Sequence, residues 1–261
     1  MNYIEITNIN THELNLYHQF REKAFAVDDS FIADSPKVVN LLLELDLEIY
    51  SILATKEYYD EHEDILKSKN IPNLYVASKE LMQTIVGHKL HHNVMMHGKR
   101  ANSYALNELG DNIIMLDEIS STENIGSIAR SAAAIGVDSF MLPKQGPHPW
   151  SRRSLRVSMG HVGLLKTHIY SSIEESIVAL QEDGYRVYAA EVTPTSTPLS
   201  KLIPHKKWVL IMGHEGKGIS KEILNLCDEV VTIEMVQGIK SFNVGVAASI
   251  LMYQFKNSVK F

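Results

Sequence analysis

The chain has 261 residues, 45% hydrophobic and 21% charged. That supports a packed core in one large domain or two small ones, and excludes a disordered polyelectrolyte. The net charge is −6, which taken globally argues against a nucleic-acid binder.

The predicted elements follow in chain order. Residues 10–26 read as a helix, with Leu14, Leu16, Tyr17 and Phe20 near one side. Ser35 and Pro36 open a second helix: the serine can cap and the proline suits the first turn. Residues 48–55 read as a strand, followed by a polar helix over 57–67. Residues 73–77 read as another strand, and Ser78 can cap the helix after it. The stretch 87–101 breaks this alternation with His88, His91, His92, His97 and two glycines, so a domain boundary is expected at 105/106. Beyond it, strands are expected at 112–117, 137–142, 164–170, 185–192, 208–212 and 230–233. A helix fits 125–135, stopped by Gly136; a second begins at Ser171-Ser172 and stops at Gly184; a long one fits 241–255. Strands separated by helices of this length predict a parallel α/β sheet, and runs such as IIML and WVLIM suit strands buried on both faces.

The single cysteine, Cys227, excludes an intrachain disulfide framework and a cysteine-based zinc site. No basic-then-apolar leader opens the sequence, and it has no run of about 18 apolar residues, so a cytoplasmic protein without a membrane partner is expected. Charge is unevenly spread. Residues 1–105 carry 10 basic and 15 acidic residues, whereas 106–261 carry 15 and 16. Between Asp138 and Glu174 there is no acid at all, and that gap holds Lys144, Arg152, Arg153, Arg156 and Lys166. A local basic stretch of this kind is the footprint of a polyanion partner; the bland alternative is chance. His88, His91 and His92 stand at helical spacing but lack a cysteine nearby, so solvated histidines are favoured over a metal site, and no metal is expected.

Three segments carry chemistry. In the first, Asn124 and Gly126 stand at a helix start, with Arg130 a turn later among small residues; a cap and a surface arginine are the bland reading. The second, Gly213-His-Glu-Gly-Lys-Gly-Ile-Ser220, follows the strand WVLIM and precedes a helix. Its G-x-x-G-x-G spacing is neither a P-loop nor a dinucleotide fingerprint. A ligand loop at the carboxyl end of a strand is plausible, with an ordinary glycine-rich turn as the alternative. The third runs from Ile233 through Met235, Gly238, Ser241, Phe242 and Asn243 into the small-residue run VGVAASI; helix capping by Ser241 is the bland reading.

In this order the three segments resemble the motifs of the SpoU-type (TrmH-type) RNA ribose 2′-O-methyltransferases of the SPOUT superfamily. The first family motif matches at Asn124, Gly126 and Arg130, the second at Gly213, Glu215, Gly216 and Gly218, and the third from Ile233 to the small-residue run. The match covers about residues 110–255. There are three departures: Glu234 stands in place of the usual proline, Phe242 of leucine and His214 of asparagine. The resemblance implies an α/β chain: a C-terminal parallel-sheet domain, 106–261, with a deep trefoil knot, preceded by a small ribosomal-protein-like RNA substrate-binding domain, 1–105. It implies S-adenosylmethionine as cofactor, held at Gly213, Ile233, Phe242, Gly218 and Met235. Arg130 would act on the ribose 2′-hydroxyl, positioned by Asn124, with Glu215, Ser241 and Asn243 completing a polar wall. Lys144, Arg152, Arg153 and Arg156 would engage RNA phosphates. The partners implied are RNA, ribosomal favoured over transfer RNA, and a second copy of the chain in a homodimer. A non-catalytic RNA-binding or ribosome-assembly protein on the same fold is the alternative. An unrelated nucleotide-binding enzyme would need a phosphate loop that the sequence lacks.

Overall fold

The computed structural model describes residues 2–8, 10–11, 14–18, 29–86 and 93–258. They fall into two units: Met1–Ala101 with Trp150–Gly163, and Asn102–Pro149 with Leu164–Phe261. The chain therefore divides differently from the single cut at 105/106. It crosses at 101/102 and returns to the first unit for one short segment, for reasons given below.

In the first unit, β1 (Ile4–Glu5), β2 (Ser30–Asp34), α1 (Pro36–Glu44), β3 (Ile49–Ala54), α2 (Lys56–Glu61), α3 (Glu63–Ser68), β4 (Asn73–Val76), α4 (Lys79–Val86) and β5 (Val94–Lys99) follow in order. The sheet order is β1-β4-β3-β5-β2. The first three strands are parallel, and β5 runs antiparallel to both β3 and β2. Leu14, Tyr17, Ile32, Leu53, Met82, Ile85 and Met95 form part of a buried cluster within this unit, and the Tyr17 hydroxyl meets Ser51 Oγ at 2.7 Å. Strands β2 and β5 were not expected. Both are short, largely buried runs without clean alternation, which periodicity reads poorly. The helix expected over 10–26 lies mostly outside the described residues, as do His88, His91 and His92. His97 instead belongs to β5, edge-on to Tyr50. The helix expected over 57–67 is two helices meeting at His62, whose Nε2 faces the Asn40 amide at 2.9 Å. Ser35 makes no side-chain cap to α1; it sits at φ 86°, and Pro36 alone marks the helix start.

The returning segment explains the division. It carries α6 (Arg152–Val157). Trp150 packs on Phe31 with ring centroids 5.1 Å apart. Gly163 lies so close to Leu42 and Leu45 that a Cβ there would come within 3.1 Å and 2.7 Å of their methyl groups. Arg152 and Arg156 both reach Asp34, which is 1% exposed at the end of β2. Arg152 donates from Nε at 2.9 Å and from Nη2 at 2.7 Å; Arg156 donates from Nε at 3.1 Å and also from Nη2.

The second unit holds β6 (Asn112–Leu116), α5 (Thr122–Ile135), β7 (Ser139–Pro143), β8 (Lys166–Tyr170), α7 (Ile173–Glu182), β9 (Arg186–Ala190), β10 (Thr197–Pro198), β11 (Trp208–Met212), α8 (Lys221–Leu226), β12 (Glu229–Thr232) and α9 (Val244–Ser258). Its seven strands, in the order β10-β12-β9-β11-β6-β7-β8, are all parallel. The expected parallel α/β architecture is present. The run WVLIM is buried throughout, as a strand covered on both faces requires. Gly136, at φ 81°, ends α5 in the left-handed conformation that favours glycine. Small residues let α5 and α9 approach closely. Ser249 Oγ donates to Ser131 Oγ at 2.8 Å, and a Cβ on Gly245 would come within 3.1 Å of Ser127 Oγ.

Candidate active site

In a parallel sheet every strand delivers its carboxyl end to the same edge, and the loops leaving that edge form the site. Here the loops after β9, β11 and β12 line a cleft of about 830 Å³. Gly213, Gly218, Ile233, Met235 and Phe242 all line it, and so do Glu215, Ser241 and Asn243. Asn124 and Arg130, on α5, do not.

The loop after β11 is built for close approach. A Cβ on Gly213 would fall 2.5 Å from Ile219 Cγ1 and 2.7 Å from the Gly218 carbonyl carbon. Gly218 takes φ +69°, and its α-carbon faces the Glu191 carboxylate. His214 closes the turn: its Nδ1 accepts from Gly216 N at 2.9 Å and Lys217 N at 3.3 Å. An imidazole nitrogen that accepts carries no proton, so the ring is the Nε2–H tautomer while these bonds hold. The substitution of histidine for the family's asparagine thus keeps an acceptor at the turn.

Glu215 joins the three sequence segments. Its Oε1 accepts from Asn124 Nδ2 at 2.9 Å and Ser121 N at 3.2 Å; its Oε2 accepts from Ser120 N at 3.2 Å and Ser120 Oγ at 3.1 Å. The chain of bonds continues, as Asn124 Oδ1 accepts from Asn243 Nδ2 at 3.1 Å. Asn243 Oδ1 in turn accepts from Gly245 N at 2.9 Å and Val246 N at 3.3 Å, which caps α9. Partial burial works against a charge on Glu215, but the Asn124 amide and the backbone N–H groups of Ser120 and Ser121 outweigh it and bring the carboxyl down to about 2. A lowered pKa stabilises the fold above the ordinary glutamate value of about 4.3, and that contribution is lost as pH falls through about 2. Replacing Glu215 with glutamine puts an NH2 donor in place of an accepting oxygen, facing the donors of Ser120, Ser121 or Asn124. We expect a loss of about 1–3 kcal/mol, read as a lower midpoint of thermal unfolding at pH 7. An unchanged midpoint would show that the Glu215 bonds add nothing to stability.

Two expected roles differ in the structure. Asn124 does not orient Arg130; its amide is taken by Glu215 and Asn243. Asn124 also lies inside α5, where Ser121 is the cap and accepts from Asn124 N. The cap of α9 is Asn243, not Ser241. Arg130 is exposed, with no hydrogen bond or ion pair among the described residues.

The departure at Glu234 is resolved by geometry. Its carboxylate turns to the short 3-10 turn Leu199–Lys201, accepting from Ser200 N at 3.3 Å and from Ser200 Oγ. The Ser200 hydroxyl bond is the main reason its pKa is lowered. Ile233 and Met235 line the cleft on either side, whereas Glu234 does not.

The basic stretch is divided. Arg152 and Arg156 are held by Asp34, with side chains 14% and 33% exposed. Arg153 and Lys144 are exposed. Sequence reasoning missed Glu191. It directly follows β9, lines the cleft, and accepts from Ile219 N at 2.9 Å and Val192 N at 2.9 Å. Its position near the carboxyl end of the strand expected at 185–192 was the available signal. Among the described residues no group of three or more metal-ligating side chains comes together, and no helix is long and apolar enough to cross a membrane.

The profile of the SpoU rRNA Methylase family matches residues 111–253, which span β6, the three motifs and most of α9. The chain belongs to this family. An uncharacterised tRNA/rRNA methyltransferase of Mycobacterium bovis is 28% identical over 229 residues, covering 85% of this chain and 79% of that one. The fold is shared with an AdoMet-bound rRNA methyltransferase from Sinorhizobium meliloti, at a TM-score of 0.88, 19% identity and 99% coverage of both chains. It is also shared with a solved RNA 2′-O ribose methyltransferase, at a TM-score of 0.79, 18% identity and coverage of 98% and 99%. Of the residues matched to the SpoU motifs, the structure links Asn124, Glu215 and Asn243 by hydrogen bonds.

Proposed function

We propose that this SpoU family member transfers a methyl group from S-adenosylmethionine to a ribose 2′-hydroxyl of structured RNA, ribosomal in preference to transfer RNA, as a cytoplasmic homodimer. The observation that carries the reading is a cleft lined by Gly213, Ile233 and Phe242 together with Glu215 and Asn243, which Asn124 joins by hydrogen bonds. The residues fit this donor. The cleft volume suits a nucleoside-sized ligand, and Gly213 and Gly218 let the loop that lines it pack closely on Ile219 and Glu191. Gly213, Gly218, Ile233, Met235 and Phe242 would hold it. When bound, the donor supplies an electrophilic methyl group on a sulfonium.

The protein's part is to place the ribose hydroxyl and to stabilise the charge that develops on its oxygen. Arg130 serves there. An arginine, with a pKa above about 12, is a poor base but a strong fixed cation for an oxyanion. Ser241, exposed in the cleft wall, adds a hydroxyl donor and acceptor. Arg130 does not line the cleft of its own chain, which supports a second copy supplying it. Val246, 48% exposed, and Tyr253, 63% exposed, lie seven residues apart on one face of α9, with Ile250 between them, and offer that copy an apolar stripe. The family's rRNA description favours ribosomal RNA. The strand order, with β11 between β9 and β6 and β12 beyond β9, supports a knotted path through the loops that line the cleft. The N-terminal unit, with its own sheet and core, supports a separate RNA-holding module.

The test is methyl transfer from labelled S-adenosylmethionine to separated ribosomal and transfer RNA, followed by nucleoside analysis. Label in a 2′-O-methyl nucleoside from ribosomal RNA is expected; label only in a base, or in neither pool, would overturn the reading. A Gly213→Ala variant is expected to lose donor binding, because the added carbon meets backbone that cannot step aside. It should also cost about 1–3 kcal/mol in stability. Donor titration by calorimetry checks the first effect and thermal unfolding the second; donor affinity equal to wild type would remove Gly213 from the site.

A further inference from the structure

Arg152 and Arg156 are committed to Asp34, yet a methyltransferase of this kind must still hold a polyanion at its cleft. Three other cations line that cleft: Lys217 in the loop after β11, Lys221 at the start of α8, and Lys240 in the loop after β12. All three are exposed, and none of their ammonium groups has a hydrogen bond or ion pair among the described residues. The two carboxylates of the cleft wall do not answer them. Glu215 is occupied by the Asn124 amide and by Ser120 and Ser121, and Glu191 by the N–H groups of Val192 and Ile219. Three ammonium groups against two carboxylates leave the cleft lining net positive, in a chain of net charge −6.

We propose that Lys217, Lys221 and Lys240 are the phosphate-binding rim of this cleft, and that they hold the RNA backbone beside the target ribose. This rests on the RNA methyltransferase reading above. A lysine is a compact point charge with three rotatable donors, so it suits phosphates whose exact placement varies along a backbone. Contacts of this kind position the strand and carry no sequence information.

The experiment uses the full chain, a fluorescent 20-nucleotide oligouridylate, and fluorescence anisotropy over a range of salt concentrations. Each phosphate neutralised on a single strand contributes about 0.7 to the slope of log K against log salt. Lys217→Gln, Lys221→Gln and Lys240→Gln should each lower the slope by about that amount. The triple variant should lower it by about 2 and bind roughly tenfold more weakly at 0.1 M salt. Lys206→Gln, which removes an exposed charge just before β11, at the edge of the sheet opposite the cleft, should leave the slope unchanged. S-adenosylmethionine affinity, by calorimetry, should stay within about twofold of wild type in the triple variant. A wild-type slope in the triple variant overturns the proposal. So does a loss of donor affinity without a change in slope, since the lysines would then serve the donor. Failure of the wild-type chain to bind S-adenosylmethionine sinks the methyltransferase reading instead, and leaves the slopes interpretable.

Discussion

Arg130→Ala is expected to lower methyl transfer by about 10²–10³-fold while leaving S-adenosylmethionine affinity near wild type. The side chain is exposed on α5 and contributes nothing to the cleft of its own chain, so its removal disturbs neither the fold nor the donor-holding loops. Losing one preorganised group that stabilises developing oxyanion charge lowers turnover by about 10²–10³-fold. An Arg130→Lys variant keeps the charge but loses the planar fork, and should recover only part of the rate. Single-turnover transfer and donor calorimetry check the two halves separately. Substantial turnover in the alanine variant would remove Arg130 from the chemistry. If a second copy supplies this residue, a mixture of Arg130→Ala chains and Gly213→Ala chains should regain activity, because one type of cleft in the mixed dimer is then complete.

Asp34→Asn is expected to have the largest effect on stability. Asp34 is 1% exposed and holds two guanidinium groups. The variant leaves both cations beside a neutral amide, and breaking a buried pair of this kind costs about 3–5 kcal/mol. Thermal unfolding should fall by roughly 10 °C. The pH dependence has a definite sign. Burial opposes the Asp34 charge, but the hydrogen bond from Arg156 and the charges of Arg152 and Arg156 prevail, so its pKa is lowered. The stabilisation is therefore fully present above the ordinary aspartate value of about 3.9 and is lost as pH falls through the lowered folded value. The asparagine variant should lack that acid-side loss. An unfolding midpoint within 2 °C of wild type at pH 7 would show that the clamp supports little.

The second unit was legible because its strands are long apolar runs between helices, and the run WVLIM stays buried throughout. Strands β2 and β5 were missed because they are largely buried without alternation and stand beside segments rich in polar residues. The helix starts at Ser172 and at Ser35-Pro36 are where the sequence places them, but only Ser172 caps with its side chain; Ser35 takes φ 86° and makes no cap bond to α1. Within the site, the identities of Asn124, Glu215 and Asn243 were legible as motif positions. Their connection was not: the bonds among them span 91 and 119 residues of sequence.

The sequence by itself determined the local features: the parallel α/β order of the C-terminal part, the three motifs, the glycines that keep the loop after β11 close-packed, and the resemblance that names the family. These depend on residue type and spacing along a few turns of chain. Only the tertiary structure decided how the charges are used. In sequence, Arg152 and Arg156 look like phosphate ligands, because nothing nearby is acidic. In space they meet Asp34, more than 110 residues away, whose carboxylate is buried and needs both of them. Lys217, Lys221 and Lys240, scattered through the sequence, line one cleft because parallel strands deliver their loops to the same edge. A charge's partner is set by distance through space, and spacing along the chain does not report it.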